Sequence, residues 1–261
     1  MSELDRFRMD GRVALVAGGS GGIGVRLCTA FAGVGARVGI IGRRAEGLEA
    51  ARGAAEDAGG EALLLVGDMT KEADAERVVD EAMHRWGRVD VLVNAIGGGA
   101  GTALHPAEAY PEAEWDRIVD LNLRSQFLVS KAAARAMIAG GRGGRILNIS
   151  SVRGQLGIDN GFSAYVAAKG AMNALTRQHA TEWAKHDITV NAISPTFVRT
   201  PQVEGLLADE TFTERLLARI PLHRIAETDD LVGAVLLFCS DASPFCTGQV
   251  LTLDGGLTAT Q

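Results

Sequence analysis

Near its N-terminus the chain reads RVALVAGGSGGIG from Arg12 to Gly24. The run from Arg12 to Ala17 is apolar and contains β-branched valines, which predicts a buried strand. A glycine-rich turn follows, and the pattern of an amphipathic helix begins at about Ile23. Glycines placed between a strand and a helix let the backbone approach a pyrophosphate, and the positive end of the helix dipole attracts that group. The stretch therefore predicts a dinucleotide-binding turn, the alternative being a merely flexible glycine loop.

Beyond this stretch, short apolar runs alternate with longer helical patterns to the end of the chain. We predict strands at 12–17, 37–41, 62–66, 89–93, 145–149, 188–193 and 249–253. The helices between them are predicted at about 23–34, 73–86, 111–139, 163–185 and 228–239, and one further helix follows the second strand and ends at residue 58. Apolar strands that alternate with helices indicate a parallel sheet covered on both faces. The fold class is therefore α/β, a Rossmann-type doubly wound parallel sheet of about seven strands, in a single domain spanning residues 1–261.

Composition excludes several other classes of protein. The chain has 261 residues, a formal net charge of −6 and no long basic run, which argues against nucleic-acid binding. Its three cysteines form no CxxC pair and its five histidines show no ligand spacing, so neither a disulfide framework nor a metal site is predicted. No signal-peptide core and no membrane-spanning stretch is visible, so we expect a cytoplasmic protein without a membrane partner.

A second informative stretch runs from Asn148 to Lys169 and reads NISSVRGQLGIDNGFSAYVAAK. If its second half is helical, Tyr165 and Lys169 lie one turn apart on the same face. A nearby ammonium group favours the phenolate, which would lower the tyrosine pKa from about 10. Tyr165 could then donate or accept a proton near neutral pH. The same spacing also occurs on solvated helix faces, so the pair alone is a weak indication.

The ordered motifs together resemble those of the short-chain dehydrogenases/reductases. The match extends from about residue 10 to the closing Asp254-Gly255-Gly256. It comprises Gly18-x-x-x-Gly22-x-Gly24, Asn94-Ala95-Ile96-Gly97, Asn122, Ser151, Tyr165-x-x-x-Lys169 and Ser194-Pro195. The resemblance implies an NAD(P)-dependent oxidoreductase that acts on CH–OH groups.

The resemblance also implies four catalytic residues. Tyr165 gives or takes the hydroxyl proton, and Ser151 hydrogen-bonds the substrate oxygen. Lys169 lowers the tyrosine pKa and contacts the nicotinamide ribose, while Asn122 links the lysine to solvent through water. Ser150 is the rival to Ser151, since adjacent strand residues point to opposite faces and only one can face the site.

The end of the second predicted strand bears on the choice of cofactor. An acidic residue there would bind the ribose hydroxyls and repel a 2′-phosphate, but this chain has Gly42-Arg43-Arg44. Arginine suits a phosphate, so NADP(H) is favoured and NAD is the alternative; the two arginines could also be the solvated start of a helix. The expected cofactor-binding residues are Gly18, Ser20, Gly21, Gly22, Ile23, Gly24, Arg43, Arg44, Asp68, Met69, Asn94, Gly97, Tyr165, Lys169, Pro195, Val198 and Thr200.

Within that set, the resemblance gives the individual segments different positions on the cofactor. Asp68 corresponds to an aspartate that contacts adenine, and Asn94 and Gly97 to a segment that flanks the adenosine. The loop containing Pro195, Val198 and Thr200 corresponds to the one that receives the nicotinamide carboxamide.

Three positions depart from the family pattern. Ala17 replaces a threonine, Thr196 replaces a glycine, and Ala95 replaces an asparagine whose amide helps to fix the fourth strand. None of these departures removes a catalytic group. We therefore expect differences in local geometry and no change of reaction class.

Two further segments concern the substrate. Residues 106–116 and 206–209 are similar to the sugar-acid branch of the family, typified by gluconate 5-dehydrogenases, and an excursion at about 196–222 is expected to cover the substrate. We predict an NADP(H)-dependent interconversion of a secondary alcohol and a ketone on a sugar acid or polyol. The alternatives are a 3-oxoacyl carrier-protein reductase and, in another class, a non-catalytic NADP(H)-binding sensor or scaffold. By resemblance the protein is expected to form a homotetramer.

Overall fold

A computed structural model describes residues 3–98, 101, 104–159 and 161–259. Its strands are β1 (Val13–Ala17), β2 (Arg37–Gly42), β3 (Ala62–Val66), β4 (Val91–Asn94), β5 (Gly144–Ile149), β6 (Ile188–Pro195) and β7 (Val250–Leu253). Its α-helices are α1 (Gly22–Gly33), α2 (Glu49–Asp57), α3 (Glu72–Trp86), α4 (Glu112–Val119), α5 (Ser125–Gly140), α6 (Ser163–Trp183), α7 (Glu204–Leu207), α8 (Glu210–Leu217) and α9 (Asp229–Cys239).

The seven strands form one sheet in the order β3-β2-β1-β4-β5-β6-β7, and every pairing is parallel. The predicted doubly wound α/β fold is therefore confirmed. The chain order reverses between β1 and β4, which pair directly. In such a sheet, the crevice at the carboxyl ends of the strands flanking this reversal is the place where ligands bind.

Helices pack on both faces of the sheet and form two separate apolar layers. Along β1, Ala14 and Val16 belong to one layer together with Phe31 of α1, while Leu15 belongs to the other together with Val129 of α5. This alternation follows from the period of two in a strand, where successive side chains point to opposite faces. All five residues are completely buried, and burying a large apolar side chain contributes about 1.5–3 kcal/mol.

The long helix predicted at 111–139 is not uniform. It consists of α4, a π-helical turn at Asp120–Arg124 and then α5. The segment is therefore helical throughout, as predicted, but it contains a π-turn that the sequence pattern did not indicate. A π-turn inserts an extra residue, which turns the side chains after it around the helix axis and is frequent at functional sites.

The remaining differences from the predicted elements lie at their ends. β4 begins two residues later than predicted, at Val91, and β6 continues to Pro195 because Ser194 and Pro195 pair with β7. Among the described residues, no helix is long and apolar enough to cross a membrane.

Candidate active site

Backbone hydrogen bonds hold the turn between β1 and α1. The amides of Gly18 and Gly19 both donate to the carbonyl of Ile41 at the end of β2, at 2.9 and 3.0 Å. Gly18 has a φ of +90°, and a β-carbon there would lie 2.7 Å from the carbonyl carbon of Ala95. A β-carbon at Gly24 would overlap the Gly18 carbonyl oxygen. The turn therefore needs glycine at these positions and presents the N-terminal end of α1 at the carboxyl edge of the sheet, an arrangement that fits a pyrophosphate.

Arg43 and Arg44 follow β2 directly, and both are exposed. Neither forms an ion pair with any residue in the described ranges. A short 3₁₀ turn, Ala45–Gly47, comes next, and a β-carbon at Gly47 would lie 3.5 Å from that of Ser20. The two arginines therefore stand close to the glycine-rich turn, where a phosphate on the adenosine ribose could be reached.

The residues after β3 offer less to a cofactor than the sequence indicated. One carboxylate oxygen of Asp68 accepts hydrogen bonds from the backbone and the hydroxyl of Thr70, at 3.1 and 2.8 Å. Met69 is 3 % exposed and its side chain lies in the apolar layer on the α3 and α5 face. The contact of Met69 with a cofactor stays a prediction.

Asn94 is the last residue of β4 and is fully buried. Its amide donates to Ser130 Oγ and to Asn148 Oδ1, both at 2.8 Å, and Asn148 in turn donates to Thr176 Oγ1 at 2.9 Å. This polar chain joins β4 to β5, α5 and α6. The amide that Ala95 lacks is absent, but β4 is still braced by the side chain of Asn94. The contact of Asn94 with an adenosine stays a prediction.

Asn122 lies in the π-turn and is completely buried. Its amide donates to the carbonyls of Ile118 and Gly98, each at 3.0 Å, and its Oδ1 accepts from the Gly98 amide at 2.9 Å. The π-turn thus aims Asn122 at the segment following β4. The predicted water link between Asn122 and Lys169 stays a prediction.

Lys169 lies four residues after Tyr165 on α6 and is 3 % exposed. Its ammonium donates to the Ile149 carbonyl at 2.9 Å and lies 5.7 Å from the centroid of the Tyr165 ring. A β-carbon at Gly97 would lie 3.2 Å from Lys169 Nζ. Burial lowers the pKa of Lys169 to about 8.

The pKa of Tyr165 shifts in the direction opposite to the predicted one. Burial raises it above its usual value, while a hydrogen bond with Ser151 and the charge of Arg153 act to lower it. The physical reason is desolvation, which favours the neutral phenol and outweighs both opposing effects.

The two adjacent serines have separate surroundings. Ser150 Oγ donates to Asn173 Oδ1 of α6 at 2.7 Å, which turns it away from the tyrosine. Ser151 Oγ accepts from the Arg153 amide at 3.1 Å, and its hydroxyl acts to lower the pKa of Tyr165. Of the two, Ser151 is therefore the serine that shares a site with Tyr165.

The loop after β6 returns to the glycine-rich turn. Pro195 is the last residue of β6, and Val198 forms a parallel bridge with Ala226 and is buried. A β-carbon at Gly22 would lie 2.9 Å from Thr200 Cγ2. This loop therefore covers the N-terminal end of α1, as a segment that contacts a bound dinucleotide would.

The sequence patterns missed two polar residues at this edge. Gln126 of α5 donates to the Ile96 carbonyl at 2.7 Å and fixes the segment after β4. Arg153 is buried two residues after Ser151, in the 3₁₀ turn Val152–Gly154. An arginine two residues after Ser151, in a stretch before Tyr165 whose one other charged residue is Asp159, was the available signal. Among the described residues, no cluster of side chains could hold a metal ion.

Comparison with known proteins gives consistent relatives along the whole chain. The family model described as enoyl-(acyl carrier protein) reductase, of the short-chain dehydrogenase type, matches residues 17–258. The gluconate 5-dehydrogenase of Gluconobacter oxydans is 40% identical over 261 residues, covering 99% of each chain. The 5-keto-D-gluconate 5-reductase of Escherichia coli K12 is 34% identical over 253 residues, covering 97% of this chain and 98% of that one.

A solved structure shows the same similarity in three dimensions. The gluconate 5-dehydrogenase from Burkholderia cenocepacia, in complex with NADP and tartrate, superimposes with a TM-score of 0.93 at 36% identity. The alignment covers 100% of both chains.

Proposed function

The chain belongs to the short-chain dehydrogenase/reductase family of oxidoreductases, and we propose that it interconverts a secondary alcohol and a ketone on a sugar acid with NADP(H). The observation that carries this proposal is the meeting of Ser151 and Tyr165 at the carboxyl edge of the sheet, beside Lys169 and the glycine-rich turn. Catalysis requires these groups together, whereas a sensor that only binds a dinucleotide does not.

The sugar-acid substrate class is supported by the relatives. Two full-length relatives, at 40% and 34% identity, are named for oxidation of gluconate and reduction of 5-keto-gluconate at carbon 5. A third holds tartrate, a hydroxylated dicarboxylate, together with NADP. NADP(H) as the cofactor is further supported by Arg43 and Arg44, because guanidinium groups without an acidic partner are suited to a 2′-phosphate.

In the direction of reduction, Tyr165 donates its phenolic proton to the carbonyl oxygen, and Ser151 donates a hydrogen bond to the same oxygen. Bound NADPH would supply the hydride that the carbonyl carbon accepts. Lys169, with a pKa of about 8, is mostly protonated at neutral pH and stabilises the phenolate left on Tyr165. In the oxidation direction, the phenolate accepts the proton of the alcohol.

The direct test is oxidation of NADPH and, separately, NADH by the purified protein with a panel of ketones. The panel contains 5-keto-gluconate, 2-keto-gluconate, a 3-oxoacyl thioester and an aromatic diketone. We expect turnover of a keto sugar acid with NADPH preferred. Preferential turnover of the thioester would assign the chain to the carrier-protein reductases, and cofactor binding without any turnover would indicate a sensor.

The proposed assembly is a homotetramer in the cytoplasm. Three large apolar side chains, Trp115 of α4 and Phe127 and Ile138 of α5, are exposed on neighbouring helices, which supports pairing of this surface. Light scattering of the purified protein tests the assembly, and a monomer would contradict it.

A further inference from the structure

Arg153 is an arginine in an unusual environment. It is 8 % exposed, and no carboxylate in the described ranges pairs with it. The other arginines that lack an acidic partner in those ranges are all exposed; they are Arg43, Arg44, Arg124, Arg142, Arg177, Arg215 and Arg219. Arginine is almost never buried without a partner, because removing its charge from water is costly.

The backbone around Arg153 is fixed relative to the catalytic residues. The Arg153 amide donates to Ser151 Oγ at 3.1 Å. The next residue, Gly154, packs so closely on α6 that a β-carbon there would lie 2.7 Å from the Lys169 carbonyl oxygen. Asn173 of α6 donates to the Gly154 carbonyl at 3.3 Å. The turn containing Arg153 is thus held between the serine and the helix of the Tyr/Lys pair.

The guanidinium of Arg153 uses little of its hydrogen-bonding capacity. Its Nη1 donates to the Gly157 carbonyl at 3.2 Å, and a guanidinium has five N–H donors in a planar fork. Its charge acts to lower the pKa of Tyr165, and burial together with the charge of Arg219 lowers the pKa of Arg153 itself. Arg219 is exposed and follows α8, in the excursion expected to cover the substrate. Arg153 and Arg219 therefore place positive charge near Ser151 and Tyr165, and neither arginine forms an ion pair with a carboxylate in the described ranges.

We propose that Arg153 binds the carboxylate of the substrate and makes the enzyme select anionic keto acids over neutral ketones. This proposal rests on the proposed function, because the carboxylate belongs to the molecule whose carbonyl Tyr165 protonates. A buried guanidinium suits the task, since a carboxylate can take two parallel hydrogen bonds from its fork and both ions are shielded from water. Arg219, in the excursion at about 196–222, would add long-range attraction for the carboxylate.

The test compares one keto acid with its own neutral derivative. Reduction of 5-keto-gluconate and of its carboxamide is measured for the wild type, Arg153→Gln and Arg153→Lys. Arg142→Gln is the matched control, since it removes an exposed arginine before β5 that also lacks an acidic partner in the described ranges and donates to one backbone carbonyl. Thermal unfolding and NADPH titration by fluorescence accompany each variant.

We expect Arg153→Gln to raise the KM for the acid by about 10- to 100-fold, the effect of losing hydrogen bonds between charged groups. The values for the carboxamide should change less than about threefold. The KM of Arg153→Lys for the acid should lie between those of the wild type and Arg153→Gln, because lysine keeps the positive charge but lacks the planar fork of donors. If Arg153→Gln fails to fold, Arg153→Lys alone provides the test. Equal losses for both substrates, or no loss for either, would overturn the proposal.

A failure of the proposed function can be told apart from a failure of this inference. If the wild type reduces no keto sugar acid but does reduce a neutral ketone, inhibition of that reaction by gluconate measures the affinity for the acid. If it reduces no ketone, gluconate binding to the NADPH complex is measured by calorimetry. A gluconate affinity that falls at least tenfold in Arg153→Gln keeps the arginine assignment. Equal affinities, or no binding to the wild type, reject it.

Discussion

Asn122 and Lys169 both lie close to the same residue, Gly97, and belong to two different helical segments, the π-turn and α6. A β-carbon at Gly97 would lie 2.9 Å from Asn122 Oδ1 and 3.2 Å from Lys169 Nζ. The Gly97→Ala variant should therefore displace one of these groups, and we expect kcat to fall at least about tenfold, since small misplacements at a reacting centre are costly.

The matched variant is Gly53→Ala in α2, where a β-carbon meets nothing within 4 Å. It should leave kcat unchanged and stabilise the protein by about 0.5–1 kcal/mol, the ordinary gain from replacing a helical glycine. Urea unfolding and steady-state kinetics test both variants. Normal turnover by Gly97→Ala would show that the contact is not needed.

Tyr165 is expected to carry the proton. Tyr165→Phe removes only the hydroxyl group and should lower kcat by at least about 10²–10⁴-fold, the usual contribution of general acid–base catalysis. NADPH binding, followed by fluorescence, should persist, because Tyr165 is expected to act mainly on the substrate oxygen. A variant with near-normal turnover would remove Tyr165 from the mechanism.

The neighbouring serines provide an internal comparison. Ser151→Ala should lower kcat by about 10²–10³-fold, as expected when a donor to the reacting oxygen is lost. Ser150→Ala removes the hydrogen bond to Asn173 and should cost about 0.5–1.5 kcal/mol of stability, with kcat within about threefold of the wild type. Kinetics and urea unfolding of both variants test this, and the reverse pattern would exchange the two roles.

The buried ammonium of Lys169 should make stability depend on pH. Its pKa is about 8 in the folded protein, below the value of the unfolded chain, so between about pH 8 and 10.5 the unfolded chain binds the proton that the folded chain releases. The stability of the wild type relative to Lys169→Met should therefore rise with pH across this window, by up to about 3 kcal/mol. Below pH 8 the difference should be constant.

Urea unfolding at a series of pH values from 7 to 10 measures this difference. Lys185→Met, which removes an exposed lysine just after α6, is the control. The two variants giving parallel curves would mean that Lys169 is not destabilised by burial.

The choice of cofactor should depend on Arg43 and Arg44. Changing both to glutamine is expected to raise the KM for NADPH by about 10- to 100-fold, since charge-assisted hydrogen bonds to a phosphate are lost. The KM for NADH should change by less than about threefold. Arg52→Gln, which breaks an exposed pair with Glu49 on α2, is the control, and equal effects on the two cofactors would rule out a phosphate contact.

The fold and the position of the Tyr/Lys pair could be predicted from sequence because both depend on local patterns. The apolar run before Gly18 predicts a strand by itself, and the spacing of Tyr165 and Lys169 fixes their common face once the segment is helical. The sheet is confirmed because seven such apolar runs along the chain each form one of its strands.

What could not be predicted depends on contacts between distant segments. The π-turn is stabilised by hydrogen bonds between Asn122 and Gly98, which are 24 residues apart along the chain. The direction of the Tyr165 pKa shift depends on how much water the folded chain excludes. Arg153 acquires its position from packing of its turn on α6. None of these has a periodic signature.

The polar chain from Asn94 through Asn148 to Thr176 has a consequence for how the protein folds. A slip of one residue between β4 and β5 would turn the side chains of one strand to the opposite face, leaving buried amides unpaired at about 1–3 kcal/mol each. Misaligned pairings of these two strands are therefore disfavoured. Ser151 follows Asn148 by three residues, and Gly97 follows Asn94 by three residues. The polar chain therefore fixes the register of β4 and β5, and with it the position of Ser151 relative to Gly97 at the carboxyl edge of the sheet.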